Sequence, residues 1–478
     1  MHTPEFRAAG HRIIDLLADY LEQVESTPLF PNISPKELEA LFDEPLPENP
    51  ATLASIMEEL ESKILPNCTQ INHPGYFGLI TPTPTPVGVL GDLIASALNQ
   101  KVSVYSSSPS ATTIERQVVR WLTDLVGYGP EAGGNLTSGG MMANFVALKL
   151  ARDWATGNRA QHEGVTSKLA VYTSEERHIS VDKSADSIGI GRNGVRIIPT
   201  DDQFVIRLDL LEEAIAKDKR DGIQPFCITA MGGSTNTGVV DPISKLRAIC
   251  DREKMWLHVD AAYGGGMLIS QKFPGALDGI GLADSVTIDP HKWFYAPLDA
   301  GAILVKDARQ LKTSFGLQPP YLTQESAEAK ERYNFYVHGF EQSRRFRALK
   351  VWMGMKRYGT KQIGDWVDAN VEQAQHLYGL CQADPDFETA RKPAMSAICV
   401  RYTGGTMSDQ ERSQLHIDVA ARTEHGGRFW FSTTYLKGKT WFRINPVNFR
   451  TRRKHIDELY QLLREECQFR ITDQTVRA

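Results

Sequence analysis

Two segments near the start of the chain have the apolar spacing of helices. From Glu5 to Val24, and again over Ala51–Ile64, apolar residues recur every three to four positions, which predicts two amphipathic helices. Such helices cannot bury their apolar faces alone, so we expect them to pack on the main body or on a second subunit. After them, Thr81–Pro86 alternates threonine and proline, which predicts a packed, extended loop rather than a helix.

From about residue 130 to residue 310, short apolar runs alternate with helical patterns. The runs that predict strands are Leu169–Thr173, Val195–Pro199, Phe226–Ala230, Trp256–Asp260, Ser285–Ile288 and Gly301–Val305. The helical patterns between most of them are Ala143–Trp154, Leu208–Lys217 and Pro242–Glu253. This alternation predicts an α/β fold, with a mainly parallel sheet covered by helices on both faces. In such folds ligands bind at the carboxyl ends of the strands.

The last hundred residues have a different pattern. Two further strands are predicted at Ala397–Tyr402 and Thr440–Ile444, and an amphipathic helix at Arg453–Cys467. We therefore expect three parts: an N-terminal helical segment at residues 1–85, a large α/β domain at 86–370 and a small C-terminal α+β domain at 371–478.

The composition narrows the class of protein. Apolar residues make up 41% of the chain and charged residues 23%, which is typical of globular proteins. The 53 basic and 58 acidic residues give a net charge of −5, which disfavours nucleic acid as a partner. No apolar stretch reaches the roughly 18 residues that a membrane span needs, and no signal peptide is visible. Six scattered cysteines without a C-x-x-C pair indicate free thiols in a reducing compartment, so we expect a cytoplasmic protein.

Four motifs follow strands or open a helix. Asp260 ends an apolar strand, and Lys292 lies 32 residues later within Asp289-Pro-His-Lys-Trp. Glycine and serine dominate residues 133–140, which we interpret as a turn that opens a helix from about Met141. His178 follows the strand that ends near residue 173.

Each motif permits one kind of chemistry. A glycine-rich turn that opens a helix presents backbone N–H groups to a phosphate. A buried lysine can react with an aldehyde, a carboxylate can hold a protonated pyridine nitrogen, and an imidazole can stack on an aromatic ring. Phosphate, aldehyde and pyridinium on one planar ring describe pyridoxal 5'-phosphate (PLP). Taken singly, these residues are more often a turn, a solvated lysine, a helix cap and a loop histidine, but their joint order favours the cofactor.

The sequence resembles the group II PLP-dependent amino-acid decarboxylases, most closely the aromatic-L-amino-acid decarboxylase type, over about residues 1–465. The matching motifs are Asp-Pro-His-Lys-Trp at 289–293, His-Val-Asp-Ala-Ala-Tyr at 258–263, Thr-Ser-Gly-Gly at 137–140, Arg-Arg-Phe-Arg-Ala-Leu-Lys at 344–350, Glu-Phe-Arg at 5–7, Ser-Pro at 108–109 and Asn-Phe-Arg at 448–450. The resemblance implies the PLP-dependent, aspartate-aminotransferase-like fold type I, with PLP in the domain at 86–370. It also implies a homodimer that shares its active sites, in which the segment at 1–85 takes part in dimerisation.

The resemblance implies catalytic roles for matching residues. Lys292 would bind PLP covalently, and Asp260 would pair with the pyridine nitrogen and keep it protonated. His178 would stack over the ring, and Ala262 would pack under it. Tyr321 would protonate the substrate carbon after CO₂ has left.

Four other residues would complete the cofactor site. Gly140 and Met141 would offer backbone N–H groups to the phosphate, with His291 nearby. Thr235 would lie beside the cofactor. No metal site is expected.

The substrate pocket departs from the aromatic enzymes of the family. The substrate-binding candidates are Ile71, Leu79, Ile80, Lys101, Ser103 and Ser343. The first three form an aliphatic wall, and the resemblance implies that the partner subunit donates Lys101 and Ser103. An aliphatic wall with a cation suits an aliphatic or acidic side chain, whereas serine at position 343 accompanies phenolic or imidazole substrates in relatives.

We therefore expect decarboxylation of an L-amino acid to its amine, with a phenolic amino acid as the leading substrate. An aliphatic or acidic substrate is one alternative, and oxidative deamination to an aldehyde is another. A catalytically silent PLP-fold binding protein is a third, against which Lys292 and Asp260 argue.

Overall fold

The computed structural model of the chain describes residues 3–317, 319 and 331–477. This part of the chain divides into two compact units. One contains Met1–Leu79, Gln375–Thr389 and Cys399–Ala478, and the other contains Ile80–Ala374 and Ala390–Ile398. We call them the terminal unit and the central unit. The three-part division at residues 85 and 370 stays a prediction.

Six helices of the described residues overlap the predicted helical segments, and the other helices were not predicted. In chain order the helices are α1 Thr3–Gln23, α2 Pro35–Phe42, α3 Leu53–Glu59, α4 Pro86–Leu98, α5 Pro109–Val126, α6 Gly140–Ala155, α7 Ala160–Glu163, α8 Ser180–Ser187, α9 Leu208–Arg220, α10 Ile243–Glu253, α11 Arg309–Phe315, α12 Ala348–Ala383, α13 Asp409–Gly426 and α14 Arg453–Arg477. The six predicted helices are α1, α3, α6, α9, α10 and α14. Helix α12 is broken at Gly359, whose φ of 66° is left-handed. The predicted threonine–proline loop is non-helical up to Thr85, and Pro86 begins α4 at the first helical position, where its missing N–H costs no hydrogen bond.

The strands form two sheets. Their bounds are β1 Gly133–Thr137, β2 Leu169–Ser174, β3 Val195–Ile198, β4 Gln224–Met231, β5 Trp256–Asp260, β6 Ser285–Ile288, β7 Gly301–Val305, β8 Phe387–Thr389, β9 Ile398–Tyr402, β10 Ser432–Leu436 and β11 Lys439–Ile444. The central unit holds a seven-stranded sheet in the order β1-β7-β6-β5-β4-β2-β3. The other sheet is four-stranded, in the order β10-β11-β9-β8.

The seven-stranded sheet confirms the predicted α/β fold. Strands β3, β2, β4, β5 and β6 are parallel, whereas β7 pairs antiparallel with both β6 and β1. All residues of β5, β6 and β7 are buried, because helices cover both faces of a parallel sheet and leave no position for polar side chains to alternate outwards. This arrangement is fold type I.

One sequence interpretation was wrong. Residues 133–137, which we had interpreted as part of a glycine-rich turn, form strand β1, with Gly133 opposite Val305 and Thr137 opposite Gly301. Glycine and asparagine have low strand propensity, so the local sequence did not indicate a strand. Pairing with β7 supplies the hydrogen bonds, and a side chain at Gly134 would lie only 2.1 Å from the carbonyl oxygen of Ile303.

The terminal unit contains both ends of the chain. The predicted N-terminal helix is present as α1, but none of its residues is buried within this chain. The C-terminal helix α14 and helix α13 pack on each other. Among the described residues, none of the helices combines the length and the apolar character that crossing a bilayer requires.

Candidate active site

One edge of the seven-stranded sheet gathers the predicted functional residues. Strands β4, β5 and β6 are parallel, so their carboxyl ends meet there, with Met231 opposite Asp260 and Asp260 opposite Thr287. Because β7 is antiparallel, its first residue, Gly301, lies at the same edge as the end of β1. The turn from β1 into α6 therefore lies beside the turn that carries Lys292.

A cavity of about 230 Å³ opens at this edge. Its lining includes all eight residues that the sequence predicted around the cofactor: Gly140, Met141, His178, Thr235, Asp260, Ala262, His291 and Lys292. Asn144, Ser234, Tyr263 and Asp289 also contribute. The tertiary structure thus brings together residues that are up to 152 positions apart along the chain, from 140 to 292.

Lys292 points towards a buried carboxylate. Its Nζ lies 3.2 Å from Oδ2 of Asp289, which is 2% exposed, while the lysine side chain itself is 21% exposed. Nε2 of His291 lies 3.4 Å from the same oxygen, and Nδ1 of His291 accepts a hydrogen bond from the backbone N–H of Ala300 at 2.8 Å. Burial alone would raise the pKa of Asp289, but the ammonium of Lys292 and the imidazole of His291 hold it below its ordinary value. Asp289 is therefore ionised and paired with Lys292.

Asp260 is held by donors on both carboxylate oxygens. Oδ2 accepts a hydrogen bond from Nδ2 of Asn144 at 2.7 Å, and Oδ1 accepts one from the backbone N–H of Ala262 at 3.1 Å. The other end of the amide, Oδ1 of Asn144, accepts from Thr287 at 2.7 Å and lies 3.0 Å from Nε2 of His258. The carboxylate is thus fixed in one orientation at the end of β5.

His178 lies between β2 and α8. Its Nδ1 accepts a hydrogen bond from the backbone N–H of Ser180 at 3.2 Å, which orients the ring. Burial lowers the pKa of His178 below its ordinary value, although the nearby Asp260 carboxylate opposes this shift. A neutral imidazole is the form suited to stacking on an electron-poor ring.

The residues present fit PLP at both ends. Helix α6 begins at Gly140, so its first N–H groups and the positive end of its dipole face the cavity. A Cβ at Gly140 would lie 2.9 Å from both the Cβ of Ala262 and Oδ2 of Asp289, so only glycine leaves room for a group to approach this backbone. Asp260 and Lys292 supply the carboxylate and the amine that a pyridine nitrogen and an aldehyde require.

The predicted substrate residues are not gathered at this cavity. Lys101 and Ser343 line a separate surface cavity of about 540 Å³ beside Arg345, and Ser103 is buried. Ile80 begins the central unit and lies outside the described lining of the Lys292 cavity.

Three further predicted residues lie in the terminal unit or outside the described residues. Ile71 and Leu79 belong to the terminal unit, where Leu79 is 52% exposed. Tyr321 lies outside the described residues.

Sequence reasoning gave no role to the four additional lining residues, of which Asn144 and Asp289 contact predicted residues directly. Asn144 was not singled out, although a lone asparagine within the apolar run 143–151 is a signal that could have identified it. Asp289 was part of a quoted motif but was given no role. Asn144 acts through contacts with residues more than 100 positions away, and Asp289 through its burial. Local sequence patterns reveal neither.

Comparisons with known proteins agree with this site. Residues 35–403 match the family described as the pyridoxal-dependent decarboxylase conserved domain. An aromatic-L-amino-acid decarboxylase from Bacillus atrophaeus is 30% identical over 94% of this chain and 93% of its own length. A phenylacetaldehyde synthase from Arabidopsis thaliana is 28% identical, over 98% of this chain and 97% of its own.

Solved structures extend the likeness to the fold. The Oryza sativa TDC, solved with PLP and tryptamine, superposes with a TM-score of 0.92 at 27% identity and covers 98% of both chains. Since the family match spans more than three quarters of the sequence and the fold agrees throughout, the chain belongs to the pyridoxal-dependent decarboxylases and is a PLP-dependent amino-acid decarboxylase that resembles the aromatic-L-amino-acid type.

Proposed function

We propose that this enzyme converts an aromatic L-amino acid, with a phenolic side chain as the leading substrate, to its amine and CO₂ in the cavity that holds Lys292. The observation that carries the proposal is that Lys292, Asp260 and the N-terminus of α6 line one cavity of about 230 Å³. The aromatic substrate class is supported by the Bacillus atrophaeus relative and by Ser343 in the sequence.

PLP supplies an aldehyde that takes the substrate amine and a ring that accepts the electron pair left behind when CO₂ departs. The side chains of the enzyme position and tune this chemistry. Lys292 would be the covalent attachment point of PLP. It would return to that position when the product amine leaves at the end of the cycle. The ionised Asp260 keeps a proton on the ring nitrogen, because a buried carboxylate and a pyridinium each favour the charged form of the other.

The remaining roles concern orientation and proton delivery. His178 covers one face of the ring and Ala262 the other, so the bond to the carboxylate is held on a defined side. The N–H groups of Gly140 and Met141 bind the phosphate, and Thr235 lies beside the ring. Delivery of the proton to the substrate carbon by Tyr321 stays a prediction from the sequence.

A CO₂-release assay over the twenty amino acids and their phenolic derivatives, with mass spectrometry of the products, tests this proposal. We expect the amine of an aromatic amino acid as the main product, and no turnover by Lys292→Ala. Lys306→Ala is the matched control, because Lys306 directly follows β7 but lies outside the cavity lining. If PLP-loaded enzyme releases CO₂ from an aliphatic or acidic amino acid instead, the aromatic assignment is wrong.

A second candidate activity is decarboxylation coupled to oxidative deamination, which converts the amino acid, O₂ and water to an aldehyde, CO₂, ammonia and hydrogen peroxide. It is favoured by the Arabidopsis thaliana relative, which is named a phenylacetaldehyde synthase. Peroxide and ammonia formed in equal amounts with CO₂ would make this the main activity. Amine formation without peroxide would eliminate it.

We also propose that the enzyme acts as a homodimer. Helix α4 carries five exposed apolar side chains on one surface, which we call the α4 face: Val89, Leu90, Leu93, Ile94 and Leu98, each 36–56% exposed. An apolar patch of this kind is typical of an interface. The cavity that contains Lys101 and Ser343 is also lined by Ala95 and Ser96 of α4, so a subunit that covers the α4 face would border it. This supports the prediction that residues near 101–103 act across a subunit boundary.

We place the enzyme in the cytoplasm. All six cysteines are free, and five of them are buried. Free thiols are typical of a reducing compartment.

A further inference from the structure

The cavity contains one carboxylate more than the assigned chemistry uses. Asp260 is assigned to the ring nitrogen, whereas Asp289 is packed against the start of α6. A Cβ at Gly140 would lie 2.9 Å from Oδ2 of Asp289, and a Cβ at Gly301 would lie 2.8 Å from Oδ1. Asp289 is therefore in contact with the backbone that we assign to the phosphate.

A bound phosphate would leave an excess of negative charge around Asp289. Among the described residues that line the cavity, the acidic side chains are Asp260 and Asp289, and the one lysine is Lys292. Nδ1 of His291 is occupied by the Ala300 N–H, so only Nε2 is left to face Asp289. His178 is kept neutral by burial. The backbone N–H groups of Gly140 and Met141 at the start of α6 add only the partial charge of a helix end.

The two carboxylate oxygens of Asp289 differ in their contacts. Its Oδ2 faces Lys292 and His291, but the fully buried Oδ1 has no hydrogen-bond partner. A buried polar atom without a partner is costly and uncommon in a folded protein. Because Oδ1 is shielded, it gains a partner only if the carboxyl group turns towards the cavity when the cofactor is bound.

We propose that the carboxyl group of Asp289 takes up one proton from solvent when the phosphate of PLP binds, and donates it as a hydrogen bond to a phosphate oxygen. The phosphate would drive the uptake, because it brings negative charge beside the carboxylate. Attachment at Lys292 would also replace the ammonium that faces Asp289, and the comparison with pyridoxal separates that change from the effect of the phosphate. In the protonated form the carboxyl group is a donor, so the contact changes from repulsion to a hydrogen bond. The inference rests on the proposed assignment of the phosphate to the N-terminus of α6.

Isothermal titration calorimetry of PLP into the cofactor-free protein tests this. Titrations at pH 7 in two buffers of different ionisation enthalpy give the number of protons taken up. We expect wild type to take up about one proton more than Asp289→Asn, which carries a permanent donor in place of the carboxyl group. The ratio of the wild-type Kd to the variant Kd should rise by about tenfold per pH unit between pH 6 and 7.5, because each binding event is linked to one extra proton. Ionisation of the phosphate itself cancels in this ratio.

Pyridoxal, which lacks the phosphate but attaches to lysine in the same way, is the matched probe. With pyridoxal the two proteins should differ by well under one proton. An equal difference with pyridoxal would assign the uptake to the loss of the Lys292 ammonium and would overturn the phosphate role. Equal proton counts with PLP, or weaker PLP binding by Asp289→Asn at pH 7.5, would overturn the proposal as a whole.

Two further measurements separate a folding defect, or a failure of the proposed function, from a failure of the role proposed for Asp289. If Asp289→Asn does not fold, the proton counts of wild type with PLP and with pyridoxal still decide the question, since a difference of less than half a proton contradicts it. Borohydride reduction and peptide mapping of the loaded wild type identify the attachment point. A label elsewhere than Lys292 would refute the proposed function, whereas a label on Lys292 without extra proton uptake would refute only the role of Asp289.

Discussion

Asn144 donates a hydrogen bond of 2.7 Å from Nδ2 to Oδ2 of Asp260, and this contact determines the orientation of a buried polar chain. Because Nδ2 is the donor, Oδ1 of Asn144 must accept, so Nε2 of His258 carries a hydrogen. Nδ1 of His258 then accepts from Ser285, whose hydroxyl oxygen accepts from the indole N–H of Trp256. Burial lowers the pKa of His258 to about 4, so the chain is uncharged and its dipoles all point towards the Asp260 carboxylate.

Replacement of Asn144 should weaken the binding of PLP. Asn144→Ala removes the side-chain donor to Asp260, and a hydrogen bond to a charged group contributes about 1.5–3 kcal/mol. We expect the Kd for PLP, measured by fluorescence quenching, to rise about 10- to 100-fold. The control is Asn193→Ala, an exposed asparagine of the same unit. An unchanged Kd in Asn144→Ala would mean that the backbone N–H of Ala262 suffices to hold Asp260.

The stability of the enzyme should depend on pH through His416 in the terminal unit. The ring is buried, its Nδ1 donates to the carbonyl of Thr440, and its Nε2 accepts from the N–H of Tyr402. Burial lowers the pKa of His416 to about 4, below the ordinary value of 6.5. The unfolded chain therefore binds the extra proton first, so this contribution is present above pH 6.5 and is lost as the pH falls towards 4.

The loss should be on the order of 3 kcal/mol for this histidine. Thermal unfolding between pH 4 and pH 7.5 measures it, and His416→Gln should have a smaller acid-induced decrease in its unfolding temperature than wild type. His425→Gln, an exposed histidine on the same helix, serves as the control. Parallel curves for wild type and His416→Gln would contradict the expectation.

The buried pair of Arg344 and Glu115 should be essential to the central unit. Arg344 bonds to Glu115 and also donates to the carbonyls of Val102 and Leu136, which holds the end of β1 beside the cavity. Arg344→Met leaves the Glu115 carboxylate buried without its cation, which costs about 3–5 kcal/mol. Chemical denaturation should detect this decrease in stability.

A double substitution separates charge from packing in this pair. Arg344→Met combined with Glu115→Gln should be more stable than Arg344→Met alone, because no uncompensated charge remains. Arg252→Met, which breaks the exposed pair with Glu212, should change the free energy of unfolding by less than about 1 kcal/mol. If the double variant is less stable than the single one, the main contribution of Glu115 is not its charge.

The α4 face should hold two subunits together. Leu90 and Leu93 are 44% and 56% exposed in the single chain, and their replacement by glutamate would place charges in an apolar interface. Light scattering of the eluting protein should give twice 53.3 kDa for wild type and the monomer mass for Leu90→Glu/Leu93→Glu. Leu282→Glu changes a 41% exposed leucine elsewhere on the central unit and should leave the dimer intact. A wild-type monomer would refute the dimer.

The sequence by itself determined the fold class and the chemistry. Strands β5, β6 and β7 begin and end where the apolar runs predicted, because a strand buried on both faces is mainly apolar rather than alternating. Asp260 and Lys292 could be identified from the same runs, since reactive side chains of such sheets follow directly after strands. The short motifs around them were specific enough to indicate PLP.

Only the tertiary structure decided how these residues are held. Strand β1 exists because β7 supplies its hydrogen bonds, not because Gly133–Thr137 favours a strand. The pairing of Asn144 with Asp260 and of Arg344 with Glu115 depends on distances between segments far apart in the chain. The separation of Lys101 and Ser343 from the Lys292 cavity was likewise invisible in the sequence. Local patterns report propensity and burial, whereas the strength of a buried charge or hydrogen bond depends on which partner the fold places within about 3 Å.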